Sequence, residues 1–254
     1  MFPIIFYKTI DGFFRQPEYA HHHFKHMGNM MKKNNLGFTL TELLIVVAIM
    51  GIMAAFATPS LTKFIASTRI TNRAEQLANL LRFAKGEAVR LNAPVVVCGT
   101  DIRIDGRPLN NCGGVDSNGW RAFADIDRNG TYDASKDLDL RTISLNGTRA
   151  QEKKVSLSVQ FFDITGKSAS KDSTELVFMP NGTFGSKKAG SLSSLTIGDS
   201  YVRLTMTDVE NPNDRNPQKR LVTVTPNGVP TVCLGKDEKV QQDGNKINLG
   251  CGLK

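Results

Sequence analysis

Residues able to do chemistry cluster in a few places in this 254-residue chain. All four histidines, His21, His22, His23 and His26, lie near the start. A working chain that lacks that stretch has none, which excludes Ser-His-Asp and Cys-His catalysis and any His-ligated metal from the remainder. Four cysteines follow much later, at Cys98, Cys112, Cys233 and Cys251. They lack the CxxC-like spacing of a zinc site. In an oxidising compartment an even count reads as disulfides, with free thiols and then metal as the alternatives. Four cysteines allow three pairings; Cys98–Cys112 and Cys233–Cys251 are favoured because each closes a short loop, for about 3 kcal/mol apiece. A run of oxygen-bearing side chains, Asp125, Asp127, Asn129 and Asp133 with Gly130, resembles the start of a calcium-binding EF-hand loop. The twelfth position is Lys136 where a bidentate Glu is required, and Asp137 comes one residue late. A two-residue Asn129-Gly130 hairpin selects the same residue types for turn reasons, and that reading is preferred over a weak calcium site. No metal or other cofactor is expected. Glu42 is the one remaining acid that demands an explanation.

Glu42 stands at the edge of an apolar run. From Leu43 to Leu61 there is no charge, which at 1.5 Å per residue just crosses a ~30 Å hydrocarbon core. Lys32 and Lys33 precede it and keep the N-terminal side cytoplasmic. An ordinary secretory signal cut after Ala55-Phe56-Ala57 and a plain single-span anchor both fit these facts. Neither gains from Glu42, because a carboxylate at the centre of a membrane helix costs about 2.5–3.5 kcal/mol on insertion scales. The charge asks for a partner within the membrane.

The stretch Gly37-Phe38-Thr39-Leu40-Thr41-Glu42, after a basic leader, resembles the class III signal of type IV prepilins and type II secretion pseudopilins. The resemblance implies cleavage between Gly37 and Phe38 by a prepilin peptidase/methyltransferase, and N-methylation of Phe38. It makes Glu42 the family's assembly glutamate and Pro59 its helix proline. A free amine in lipid is as costly as a carboxylate, so Glu42 of one subunit would neutralise the Phe38 amine of a neighbour. A buried pair needs both members and so selects assembly over the lone subunit. Residues 1–37 are then a leader, within which residues 1–30 are read as a start-site artefact or as lost with it, Met30 and Met31 being alternative starts.

Beyond Pro59 the pattern becomes amphipathic. Ile70, Ala74, Leu77, Leu81, Ala84, Ala88 and Leu91 recur at spacings of four and three, one face of a helix. Asn92 and Pro94 supply the stop. The spacing predicts a helix from Phe38 to Leu91, in two parts: residues 38–61 for membrane and assembly, residues 62–92 amphipathic. Its apolar face should pack a sheet. Lys63, Arg69, Arg73, Arg82, Lys85 and Arg90 are expected to be solvated or to meet other subunits. Residues 93–254 read as strands: Val95–Cys98, Trp120–Asp125, Leu138–Ser144, Val155–Phe162, Glu175–Met179, Ser194–Ile197, Tyr201–Thr207, Leu221–Thr225 and Val229–Cys233. Asn-Gly turn signals fall at 129–130, 146–147, 181–182 and 227–228. The expected class is α+β: a long helix packed on an antiparallel, β-rich exported head with two disulfides. Val95-Val96-Val97-Cys98, Cys112, Gly119-Trp120 and the Phe123–Gly130 stretch resemble the GspH/FimT branch of the pilin family, over most of residues 38–233.

The formal charge is +8; removing residues 1–37 takes away five cations and two anions and leaves +5. DNA-binding members of competence pili resemble one another in a G-R-x-R motif before a C-terminal Cys. Here Val229 and Thr231 replace both arginines between Gly228 and Cys233. Phosphate contacts need cations. Arg215, Lys219 and Arg220, on a polar loop Thr207–Arg220, are the substitutes, but a solvated loop is the preferred reading and nucleic acid the less favoured partner. No nucleophile–base pair or phosphate loop is found, so an enzyme is not expected. The reading is a minor type IV pilin that initiates or tips a pilus, held in the inner membrane with a periplasmic head, then in the filament. Its implied partners are other pilin subunits, the peptidase and the inner-membrane assembly platform. A minor type II secretion pseudopilin is the second reading and a competence subunit for natural transformation the third. N-terminal sequencing of the processed protein should begin at methylated Phe38; a start at Thr58 would indicate ordinary signal cleavage.

Overall fold

The computed structural model describes residues 38–149, 152–163, 168–169, 174–188, 191–197 and 200–234. They form one long helix and eleven strands, an α+β fold. The chain divides into two units, residues 1–50 and 51–254. In the first, residues 38–50 are exposed and overwhelmingly apolar.

Helix α1 spans Leu40–Leu91. Its end obeys the local signals: Asn92 adopts a left-handed φ of 51°, as a C-terminal cap residue does, and Pro94 cannot extend the ladder. In the second unit the predicted stripe is buried. Ile70, Ala74, Leu77, Leu81, Ala84 and Ala88 are fully inaccessible, and Leu91 packs at the margin. Ala78 and Leu80 are also fully buried, so the stripe is wider than the four-and-three spacing implied.

The head has two sheets, and every pairing in them is antiparallel. The first has the order β3-β2-β1-β6-β7-β8, built from Leu138–Ser144, Gly119–Ala124, Val95–Thr100, Leu176–Phe178, Phe184–Lys188 and Ser191–Ile197. The second has the order β11-β10-β9-β4-β5: Pro230–Leu234, Lys219–Val224, Ser200–Asp208, Val155–Asp163 and Ser168–Ala169. β3 has the expected bounds. β5 and β7 were not expected. β7 reads FGSKK, which has neither a β-branched residue nor a clean alternation, and tertiary pairing with β6 sets it.

One core joins α1 to both sheets: Val95, Val97, Trp120, Ala122, Leu176 and Phe178 from the first, Val155, Leu157, Val202, Leu204, Met206 and Val222 from the second. β1 and β2 are buried on both faces, which accounts for the unbroken run Val95-Val96-Val97. Their other face makes a smaller cluster of Val96, Cys98, Phe123 and Val177, with Cys112, Tyr132 and Met179 at its edge.

Asn-Gly signals work differently from place to place. Gly182 and Gly228, with φ of 80° and 70°, make the tight turns β6–β7 and β10–β11. Asn146 makes no turn of that kind. Its buried side chain ties β3 to β4, donating to the Val155 carbonyl at 2.8 Å and accepting from Lys154 and Val155 N–H at 3.0 and 2.9 Å. Asn129-Gly130 is not a two-residue hairpin either, because β2 and β3 are joined by the long loop 125–137.

Leu77 touches this shared core with no exposed surface. Leu77→Ala should destabilise the head by about 2–5 kcal/mol, while Glu75→Ala, on an exposed side chain, should change it little; urea midpoints of the two variants check this.

Candidate assembly helix and its anchorage

The N-terminal unit presents its apolar residues outward: Phe38 is 82% exposed, and Leu43, Leu44 and Ile45 are 60 to 61% exposed. Gly37, the expected cleavage residue, lies outside the described residues. Glu42 is exposed in the first turn of α1. Its backbone N–H donates to Thr39 Oγ1 at 3.2 Å, Leu43 N–H reaches the Thr39 carbonyl at 3.1 Å, and the Thr39 and Thr41 hydroxyls lie 3.0 Å apart. Thr39 is thus the N-cap, and Thr39-x-x-Glu42 has the spacing of a capping box. The sequence reading passed over this signal. It gives Glu42 a local stabilising role, since a carboxylate in the first turn complements the helix dipole.

In the second unit Phe56, Leu61, Phe64 and Ile65 are also exposed, and burial begins beyond them. No single described helix is long and apolar enough to cross a membrane. The segments Leu40–Phe56 and Ser60–Leu91 meet the criteria of length and composition only when taken together.

The cations of α1 were expected to be solvated or to meet other subunits. Four of them are instead committed to the head. Arg69 Nη1 meets Asp208 Oδ2 at 2.9 Å, and its other terminal nitrogen pairs with Glu210. Lys154 Nζ reaches Glu210 at 2.7 Å. Arg73 donates to the Ser144 carbonyl at 2.8 Å, Arg82 to Pro230 at 3.3 Å and Lys85 to Asn227 at 2.7 Å. These carbonyls sit at strand ends and in a turn facing the helix flanks, where long cationic side chains can reach them across the apolar stripe. Arg141 of β3 stacks on Phe83 of the helix at 4.4 Å.

The polar loop ends earlier than expected, and Lys219 and Arg220 belong to β10. Arg220 is half-buried and donates to Thr71 Oγ1 at 3.0 Å, to Ser67 Oγ at 2.9 Å and to the Lys219 carbonyl at 2.8 Å. Its guanidinium anchors the helix and is not presented to a phosphate. Arg215 remains exposed on the loop. The three substitutes for the missing arginines therefore do not form one exposed cationic patch.

Cys98 and Cys112 are joined, with Cα atoms 5.6 Å apart. The bridge closes the loop between β1 and β2. Gly113 N–H bonds the Gly99 carbonyl at 2.6 Å, and Asn118 brackets Ile102 through both ends of its amide. A side chain at Gly99 would collide with the Gly114 carbonyl oxygen, so the loop closes onto bare backbone. Cys233 is also disulfide-bonded; Cys251 lies outside the described residues.

The acidic loop turns on Asp125, which has no exposed surface. Its carboxylate accepts Gly130 N–H at 2.7 Å and Asn129 N–H at 3.2 Å. Burial pushes the Asp125 carboxyl above its ordinary value, against those two N–H groups, with the nearby Asp137 charge adding to the rise. Asp137, not Asp133, joins Asp125 and Asp127, with oxygens within 4.8 Å of one another. Asp137 itself accepts Ile126 N–H at 3.0 Å and Asp133 N–H at 2.8 Å. The Lys136 ammonium stands 3.4 Å from Asp127 and 3.7 Å from Asp133. The loop's own amides and its own lysine meet these acids. Over it, Tyr132 packs edge-on to Phe123 at 5.1 Å and over the Arg121 guanidinium at 4.2 Å.

A family model described as Type II transport protein GspH matches residues 73–228, more than half of the chain. The chain belongs to the GspH family. A second model, the prokaryotic N-terminal methylation motif, matches residues 32–58 of this GspH-family chain. A fimbrial protein of Dichelobacter nodosus is 42% identical over 106 residues, and a type IV major fimbrial protein FimA from that organism is 40% identical over 109. Each match takes in 42% of this chain and 60% of the relative's own length. Among solved structures, the type IV minor pilin FimU of Pseudomonas aeruginosa covers 67% of this chain and 91% of its own, at 16% identity and a TM-score of 0.34.

The Lys154 hydrogen bond, with Arg69 adding to it against the opposing effect of burial, holds Glu210 below the usual carboxylate range. A depressed carboxylate contributes stability above its ordinary value of 4.5 that is lost as pH falls below it. Arg69→Ala, which removes the bond to the largely screened Asp208 as well as that to the half-exposed Glu210, should cost about 1.5–3 kcal/mol at neutral pH, nearly all of it from Asp208, and the difference from the parent should shrink on acidification through that range; urea midpoints across the pH series read it.

Proposed function

We propose that this GspH-family chain is a minor pilin: a subunit that inserts α1 into a type IV filament and helps to initiate or cap it. One observation carries the reading. Among the described residues that match the methylation motif, those from Phe38 to Phe56 are exposed and overwhelmingly apolar, and one acid, Glu42, sits among them at a capped helix start. A chain that folds alone has no use for that surface, whereas a bundle of like helices buries it.

In this proposal the prepilin peptidase cuts between Gly37 and Phe38 and methylates Phe38. The apolar helix then holds the subunit in the inner membrane, with the head outside, until the assembly platform lifts it among other pilin subunits. Thr39 supplies one missing acceptor at the helix start, where water is excluded and an unpaired N–H is costly. The Glu42 carboxylate stays free to neutralise a neighbour's Phe38 amine. We assign Cys233 and Cys251 to a second disulfide outside the membrane. The head's part is architectural.

The family description, type II transport, keeps a minor pseudopilin as the second reading. Deletion followed by scoring of twitching and of protein secretion separates the two. A DNA-uptake role is less favoured, because Arg220 is spent on the helix.

Glu42→Ala should leave cleavage at Gly37 intact, with processed protein accumulating in the membrane, and should reduce its recovery in sheared filaments by an order of magnitude, roughly the effect of losing one ion pair worth 1.4 kcal/mol. Parental recovery in the filament fraction would refute the assembly role.

A further inference from the structure

The chain contains five Asn-Gly pairs, at 118–119, 129–130, 146–147, 181–182 and 227–228. In such a pair the glycine nitrogen can attack the preceding side-chain amide, because no side chain on the glycine obstructs it. Four of the pairs are held against this. Both ends of the Asn118 amide bond Ile102, and Gly119 lies in the β2 ladder. Asn146 is 8% exposed with its amide fully engaged, and Gly147 N–H faces the Glu152 carbonyl. Gly182 N–H bonds the Met179 carbonyl at 2.9 Å and Gly228 N–H the Thr225 carbonyl at 2.7 Å. A peptide carbonyl is no base at neutral pH.

Asn129-Gly130 differs at the glycine nitrogen. Gly130 N–H points at a carboxylate, Asp125 Oδ2, 2.7 Å away in a buried position. The Asn129 side-chain oxygen Oδ1, where negative charge would develop, accepts Thr131 N–H at 2.6 Å, as Asn181 Oδ1 accepts Thr183 N–H at 3.0 Å. The Asn129 amide nitrogen, which would leave, donates to Asp127 at 2.8 Å, and the residue is exposed to water. A positioned base and a preorganised oxyanion donor are the two devices that speed acyl transfer.

We propose that Asn129 is a self-modifying site, converted through a succinimide to aspartate or isoaspartate, with Asp125 as proton acceptor and the Thr131 amide as oxyanion donor. Gly130 N bonds to Asn129 Cγ while its proton passes to Asp125. The Cγ–Nδ2 bond then breaks, and the nitrogen leaves as ammonia, taking back that proton through water. Water adds to either carbonyl of the five-membered ring and opens it. No oxidant, metal or cofactor enters. The product adds one negative charge to a loop that already holds Asp127, Asp133 and Asp137, and the isoaspartate form also lengthens the main chain by one carbon.

The test uses the full-length protein incubated at neutral pH, digested, and read by mass spectrometry for deamidation and isoaspartate at all five pairs. The Asn129 peptide should convert at least about tenfold faster than the Asn181 peptide of the same sample, well within what a positioned base supplies. Urea should abolish the difference. Asp125→Asn should bring Asn129 down to the Asn181 rate. Equal rates at Asn129 and Asn181 in the folded chain, or faster conversion of Asn129 in urea, would overturn the proposal and make the Asp125–Gly130 bond a lock on the loop; neither outcome depends on the variant folding.

Discussion

Burial of one helix face against two sheets is the constraint on which the head depends. The stripe from Ile70 to Ala88 alternates bulk with absence of bulk: Leu77, Leu80 and Leu81 fill space, while Ala74, Ala78, Ala84 and Ala88 leave room for strands to approach. Both sheets contribute side chains to the one cluster around it. Neither sheet has an independent core of comparable size among the described residues. The four residues of the second cluster only seal the far face of β1, β2 and β6. A helix packed in this way cannot slide by a residue without turning leucine onto solvent and charge onto the sheet, because the period that buries the stripe also exposes its opposite.

Apolar packing fixes which face is inward but tolerates tilt and small shifts along the axis. Polar anchors at the flanks remove that freedom. Arg69, Arg73, Arg82 and Lys85 reach out from the helix, and Arg220 reaches in from β10. Several of these bonds end on backbone carbonyls, which have fixed positions and make register demands that a mobile carboxylate would not. The Arg69, Asp208, Glu210 and Lys154 group is the strongest of them, because Arg69 and Asp208 are both largely screened from water. It lies at the beginning of the buried stripe, just where apolar support starts. The anchors thus run from the start of the buried stripe, at Arg69, to its far end, at Lys85.

Much of this was legible in the sequence, and the parts that were not share a cause. The helix end at Asn92, the stripe, the bounds of β3 and the Cys98–Cys112 bridge all follow from local signals or loop length. So did the capping box at Thr39, which is written in four adjacent residues and was simply overlooked. What local pattern could not supply was partnership. An arginine on a polar helix face reads as solvated whether or not a carbonyl from a residue seventy positions away meets it, as Ser144 meets Arg73. Lys219 and Arg220 read as loop because charge precedes the apolar run of β10, yet the ladder with β9 begins at Lys219. β7 carries no strand signal of its own and exists because β6 offers it an edge. In the acidic loop the sequence named the right residue types but chose Asp133 over Asp137 for the cluster, since spacing alone does not say how a thirteen-position loop folds back on itself.

Asp125 is the keystone of the acidic loop. It closes β2, and its own N–H bonds the Pro94 carbonyl, so the exit of α1 and the acidic loop meet at this one residue. A carboxylate without exposed surface is tolerated there because two loop amides point into it. An asparagine in its place could satisfy only one of them with its oxygen and would set an N–H₂ group against the other. Serine or alanine would leave both amides unpaired in a dry site, at about 1–3 kcal/mol each. A loop that must bend sharply after a buried strand end needs a short side chain with two acceptors, followed by a residue free to adopt positive φ, and Asp125 with Gly130 meets that need.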